Sequence, residues 1–179
     1  MRSAYVFAAL VLVLVAIAFV ARSGWVSREN PGQPMNKYMR ETLDTAQNPQ
    51  LSTAEAMVVD QKYPNATVLP SGLRYLIRSA GTGNEKPRRG QEATVQYEGR
   101  LLSDGTKFDS SYDRHSPLTF PVGVGRVIAG WDETILDMRK GERRTVIIPW
   151  WLAYGAAGRP PAIPPRASLV FEIELVDFQ

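Results

Sequence analysis

The chain has no cysteine, which excludes a disulfide framework, a thiolate zinc site and a cysteine nucleophile together. It has a single histidine, His115, set between Arg114 and Ser116-Pro117 in a stretch with the texture of a solvated loop. A catalytic base or a metal ligand is a poor reading of that ring, and a serine hydrolase would depend on it with only Asp113 nearby in sequence. No metal site is expected, and no motif implies a cofactor. Charge of one sign is also missing. Lys and Arg number 21 against 18 Asp and Glu, and the surplus is shared: 6 against 5 over residues 1–65 and 15 against 13 over residues 66–179. The densest basic run, Lys86-Pro87-Arg88-Arg89, is followed at once by Gly90-Gln91-Glu92, which is the pattern of a solvated turn and not a nucleic-acid footprint. No internal repeat is present. At 44% hydrophobic and 22% charged over 179 residues, the composition is that of one globular domain with an appendage.

The appendage is N-terminal. Ala4 to Ala21 is an uncharged run of 18 residues, about 27 Å as a helix and just long enough to span a bilayer. Two readings compete. A cleavable signal peptide would use Arg2, an apolar core over Ala4–Val15 and a cleavage site at Ala16-Ile17-Ala18. Phe19-Val20-Ala21 continue the apolar run past that site, so residues 1–23 are read as an uncleaved anchor, with the domain membrane-anchored or exported and extracytoplasmic, in the periplasm if the source is bacterial. Residues 24–65 begin as a Gly-, Pro- and Ser-containing linker up to Pro34. Two short helices are expected next, one over Met35–Ala46 and one opened by the capping box Ser52-Thr53-Ala54-Glu55 and ended by Pro64. The segment is read as a spacer packed on its own domain, with a partner or dimer surface as the competing reading.

From Leu69 the texture becomes short apolar stretches between turns, an α+β pattern with a mainly antiparallel sheet and one helix. Candidate strands are Leu73–Arg78, Ala93–Leu102, Glu142–Ile148 and Ser168–Phe178. In the last, Leu169, Phe171, Ile173 and Leu175 share one face, with Glu172 and Glu174 opposite. Val95 and Tyr97 point one way in the second strand, Gln96, Glu98 and Arg100 the other, before an Asp104-Gly105 reversal. The helix is predicted over Trp131–Lys140. Asp132 and Glu133 suit its N-terminal end, Arg139 and Lys140 its C-terminal end, and Gly141 its stop. Trp131, Ile135 and Met138 fall on one face, which can press onto the sheet.

Five segments then combine. Thr94-Val95-Gln96-Tyr97-Glu98-Gly99, Asp104 through Ser111, Val127-Ile128-Ala129-Gly130-Trp131, Leu152-Ala153-Tyr154-Gly155, and Ile163-Pro164-Pro165 with Leu169-Val170-Phe171-Glu172 resemble the FKBP-type peptidyl-prolyl isomerase family in order and spacing. The resemblance runs from about Leu69 to Gln179 and extends to the Leu69–Leu73 lead-in of bacterial exported members. It implies a five- or six-stranded antiparallel sheet curled around the short helix, a domain over residues 66–179, and a pocket between sheet and helix. It further implies that proline-containing polypeptides are the substrates and that macrolide inhibitors are possible ligands. Carried over residue by residue, Trp131 is the floor and Tyr97, Phe108 and Phe171 are walls, with Val127 and Ile128 beside them. Asp109 and Tyr154 match polar contacts to a ligand, the Ile128 N–H matches a donor to a ligand carbonyl, and Arg114 matches an arginine that steadies Asp109 and Tyr97. Ile163 is expected on the far rim.

Four positions depart from the commoner family pattern: Leu118, Ala162, Arg159 and Arg126, the last standing where an acidic residue is common. Leu118 and Ala162 are expected to make a roomier lip. Read singly, Tyr97, Phe108 and Phe171 would pass for core aromatics, Trp131 for a packing anchor, Tyr154 for a loop residue and Asp109 for a turn. Their joint order carries the reading. The expected activity is isomerisation of X-Pro bonds in protein folding; a non-catalytic module or chaperone that grips proline-containing segments is the alternative.

Overall fold

Residues 49–179 are described by the computed structural model, so the hydrophobic run at 4–21, the linker at 22–34 and the expected helix at 35–46 lie outside the described residues. Among the described residues no helix is long and apolar enough to cross a membrane. The capping box is formed: the Ser52 hydroxyl accepts from the Glu55 N–H at 3.2 Å while the Glu55 carboxylate accepts from the Ser52 N–H at 3.0 Å. It opens helix α1, Thr53–Lys62, which stops one residue before Tyr63-Pro64. The helix buries Val59 in a cluster with Leu102, Ile147 and Val170. Residues 49–65 therefore belong to the same compact unit as the sheet, which begins at Pro49.

Seven antiparallel strands follow: β1 Thr67–Val68, β2 Arg74–Ser79, β3 Glu92–Leu101, β4 Lys107–Ser110, β5 Leu118–Pro121, β6 Arg143–Ile148 and β7 Leu169–Phe178. Their order is β1-β2-β6-β7-β3-β4, with β5 also paired to β3. This exceeds the expected five or six because β1 and β5 are two and four residues long, too short for alternation to show in sequence. The longest pairing joins β3 to β7, from Ala93 opposite Phe178 to Leu101 opposite Leu169. Both strands alternate as expected, with Ala93, Val95, Tyr97, Gly99 and Leu101 buried on one and Leu169, Phe171, Ile173 and Leu175 on the other. In β6 only Arg143 is exposed. Val146 and Ile148 join the main core, whereas Ile147 faces the α1 cluster, so both faces of that strand are covered.

Helix α2 spans Ala129–Asp137, starting two residues before and ending three residues before the expected bounds. Trp131 and Ile135 are buried on it, and Met138 follows at its C-cap, so the expected apolar stripe is all in the core. The early stop has a local cause. Met138 turns extended at ψ 156°, the Arg139 N–H donates to the Glu142 carboxylate at 2.9 Å, and Gly141 closes the turn at φ 76°, a conformation only glycine adopts freely. Arg139 and Lys140 thus lie beyond the helix, and Lys140 pairs with Asp177 at 2.7 Å instead. At the other end, Asp132 accepts from the backbone N–H groups of Gly123 and Gly125 at 2.7 and 2.8 Å. That carboxylate ties the loop before α2 to the helix's first turn.

Candidate functional site

Where the inner face of the sheet meets the start of α2, a cavity of about 580 Å³ opens. β3 supplies Tyr97, β4 supplies Phe108 and Asp109, β5 supplies Leu118, and β7 supplies Phe171. The loop entering α2 adds Arg126, Val127 and Ile128, the helix adds Ala129 and Trp131, and the segment after the short 3-10 turn Trp150–Leu152 adds Ala153, Tyr154 and Arg159. These residues come together because alternation puts Tyr97 and Phe171 on the inner face, and Ile128 in extended backbone brings the chain to Trp131 at the foot of the helix.

The rings meet edge to face. Trp131 lies 4.8 Å from Tyr97 and 5.3 Å from Phe171 between centroids, both at 82°, and Phe108 meets Phe171 at 5.6 Å and 89°. Such pairs are favoured by the ring quadrupoles beyond simple area burial. Phe120 backs the indole at 5.8 Å. Gly99 is required by this arrangement, since a Cβ there would stand 2.6 Å from Phe171 Cε1 and 2.7 Å from Phe108 Cζ.

One corner is polar. The Tyr97 hydroxyl donates to Asp109 Oδ2 at 2.5 Å and accepts from Arg114 Nη2 at 2.8 Å, and Arg114 forms an ion pair with the other oxygen of Asp109. Burial pushes the Tyr97 phenol up, the hydrogen bond to Asp109 pushes it the same way, and Arg114 opposes them without prevailing. The phenol therefore stays protonated and donating at neutral pH. Elsewhere on the wall, neither the Ile128 N–H nor the Tyr154 hydroxyl is engaged by another described residue. Both donors are available to a guest. Among the described residues no group of three His, Cys, Asp or Glu side chains could hold a metal ion.

A family model described as FKBP-type peptidyl-prolyl cis-trans isomerase matches residues 83–176, more than half of the chain. The chain belongs to this family. The isomerase FPR2 of Saccharomyces cerevisiae is 54% identical over 92 residues, covering 51% of this chain and 68% of that protein. FK506-binding protein 1A of Aspergillus fumigatus is 45% identical over 105 residues, covering 59% and 93%. FK506-binding protein 4 of Dictyostelium discoideum is 45% identical over 124 residues, covering 68% of this chain, which spans only 33% of that protein. The crystal structure of AtFKBP13 superposes with a TM-score of 0.61 at 41% identity, covering 64% of this chain and 99% of that one. The family and the relatives named as isomerases support peptidyl-prolyl isomerase activity for this FKBP-type domain.

Nine of the expected site residues line the FKBP-type cavity: Asp109, Tyr154, Ile128, Trp131, Phe108, Tyr97, Val127, Phe171 and Leu118. Arg114 stands behind two of them, touching Asp109 and Tyr97. Ile163 does not line the cavity. It is 2% exposed in the core, drawn inward by a two-way backbone bridge with Arg159 at 2.8 and 3.0 Å. Ala162 beside it is exposed and also off the wall, so of the two lip departures only Leu118 faces the cavity. Sequence reading missed Ala129 and Ala153 as wall residues, since alanine carries no chemical signal. It noted Arg126 and Arg159 only as departures, and both turn out to face the cavity.

Proposed function

We propose that the Trp131 cavity binds a proline-containing segment of a polypeptide and accelerates rotation about its X-Pro bond. The carrying observation is the edge-to-face cage of Trp131, Tyr97, Phe108 and Phe171 with a polar corner at one side. Rotation breaks no covalent bond but loses amide resonance, a barrier of roughly 18–20 kcal/mol. The planar amide is more charge-separated than the twisted one, so an apolar cage that strips water from the carbonyl favours the twisted state. The proline ring packs on Trp131, Phe108 and Phe171 and is held while the other side of the bond turns. The Ile128 N–H and the Tyr154 hydroxyl donate to carbonyl oxygens, and contribute to rate to the extent that these bonds tighten in the twisted geometry. Asp109 needs to transfer no proton; held by Tyr97 and Arg114, it orients polar groups at the rim.

The same apolar walls suit a macrolide of the FK506 kind, as the names of two relatives suggest. The domain works outside the cytoplasm, tethered or exported by residues 4–21 and serving the folding of proteins there; this rests on the uncharged run alone, and the mature N-terminus tests it, a start near Phe19 showing removal of the segment.

The activity is tested with the full chain on tetrapeptides that vary the residue before proline. Phe108→Ala lowers kcat/KM by about 10-fold or more, because a half-buried wall is lost next to the reacting bond. His115→Ala, an exposed loop position, leaves it unchanged. A loss with His115→Ala equal to that with Phe108→Ala would contradict the cage mechanism.

A further inference from the structure

Two guanidinium groups at the cavity have no carboxylate to answer them among the described residues. Arg126 and Arg159 line it and are exposed, and neither enters an ion pair among the described residues, whereas Arg114 is committed to Asp109 and Arg144 to Glu142 and Asp137. Among the described residues Asp109 is the only acidic one on the wall, and Arg114 already pairs with it. Among the described residues the mouth is left with two uncompensated positive charges.

Their backbones are fixed. Arg126 follows the loop whose Gly123 and Gly125 N–H groups are held by the Asp132 carboxylate. Arg159 opens a hairpin closed by its two-way bridge to Ile163 and stiffened by Pro160 and Pro161. Its guanidinium lies 5.9 Å over the ring of Tyr154. Both charges therefore stand at fixed places along the exposed lining of the cavity.

We propose that Arg126 and Arg159 are specificity-determining residues that favour X-Pro segments carrying an anionic side chain immediately before or after the proline, a carboxylate or a phosphate ester. This rests on the isomerase reading above. Exposed pairs of this kind each change affinity only a few-fold, so the two together give about a five- to ten-fold preference for glutamate over lysine. The preference weakens with salt, because the screening length is only about 8 Å at physiological ionic strength.

The test measures kcat/KM of the full chain on peptides with Leu, Glu, phosphoserine or Lys before proline, and with Glu or Lys after it, at low and high salt. Binding of the same peptides is followed by tryptophan fluorescence. The expected result is Glu over Lys by about five- to ten-fold, a gap that closes with salt and reverses in the R126E/R159E double variant, whose fold is checked by circular dichroism. Phosphoserine above Glu would point to phosphate, and Glu at or above phosphoserine to carboxylate; either ranking above Lys supports the proposal. Turnover of Leu-Pro with Glu-Pro and Lys-Pro equal, or a preference unchanged in R126E/R159E, overturns this inference and leaves the isomerase reading standing. No turnover of any peptide overturns the isomerase reading, and Glu against Lys in the binding titration then decides the charge preference by itself.

Discussion

Tyr97 is used twice, and the two uses can be separated. Its ring meets Trp131 edge to face while its hydroxyl joins Asp109 to Arg114. Tyr97→Phe keeps the first and deletes the second, leaving Asp109 with Arg114 alone. The expected cost is about 1–2 kcal/mol of stability, read by urea unfolding, with kcat/KM reduced and the cage intact. The phenol's folded-state value is raised above its ordinary 10.0, so its contribution is fully present below the unfolded value and is lost only as pH rises through the folded one. Activity and stability should show no step from this group between about pH 6 and 9; a step there that vanishes in Tyr97→Phe would contradict the assignment. At this scale the aromatic walls were legible in the sequence only collectively. Tyr97 and Phe171 follow from alternation as inward residues, but inward is equally the address of a core residue. Ile163 shows the reverse failure, because its motif placed it on the rim and a backbone bridge draws it into the core.

Among the elements, β3 and β7 were read within a residue at each end because ten alternating positions leave little freedom of register. β1 and β5 carry too few residues to alternate, and α2 stops early because Glu142, a residue outside it, captures the Arg139 N–H. The apolar period carries no sign of a carboxylate that captures a backbone N–H from the turn just before β6. Gly99 is the element-scale constraint on the site, standing on β3 where Phe108 of β4 and Phe171 of β7 converge. Gly99→Ala must displace one of these rings. It should cost about 1–3 kcal/mol in thermal or urea unfolding and lower kcat/KM by about 10- to 100-fold through misplacement of the cage. Full activity in a normally folded Gly99→Ala would show that the two rings do not need their present positions.

Across the whole molecule, α1 and α2 cover opposite faces of β6, and the sequence foresaw α1 through its capping box without showing which surface it would cover. Charges also link distant parts of the chain. Burial pushes the Asp137 carboxyl up, and hydrogen bonds from Lys86 and Arg144 outweigh it and leave the group below its ordinary 3.8. A depressed carboxyl contributes stability that is complete above the unfolded value and drains away as pH falls through the folded one. Stability should therefore decline below about pH 4, and Asp137→Asn should flatten that limb. With its side chain 45% exposed, the effect is about 0.5–1 kcal/mol after screening.

On the proposed mechanism the cage turns the bond and does not merely hold it. Exchange NMR on an X-Pro peptide with the full chain reads this without a coupling protease. Cis–trans exchange far faster than the uncatalysed tens to hundreds of seconds is expected, suppressed by Phe108→Ala and unchanged in heavy water, since no proton is transferred. Peptide resonances that shift on binding while their exchange stays at the uncatalysed rate would contradict it.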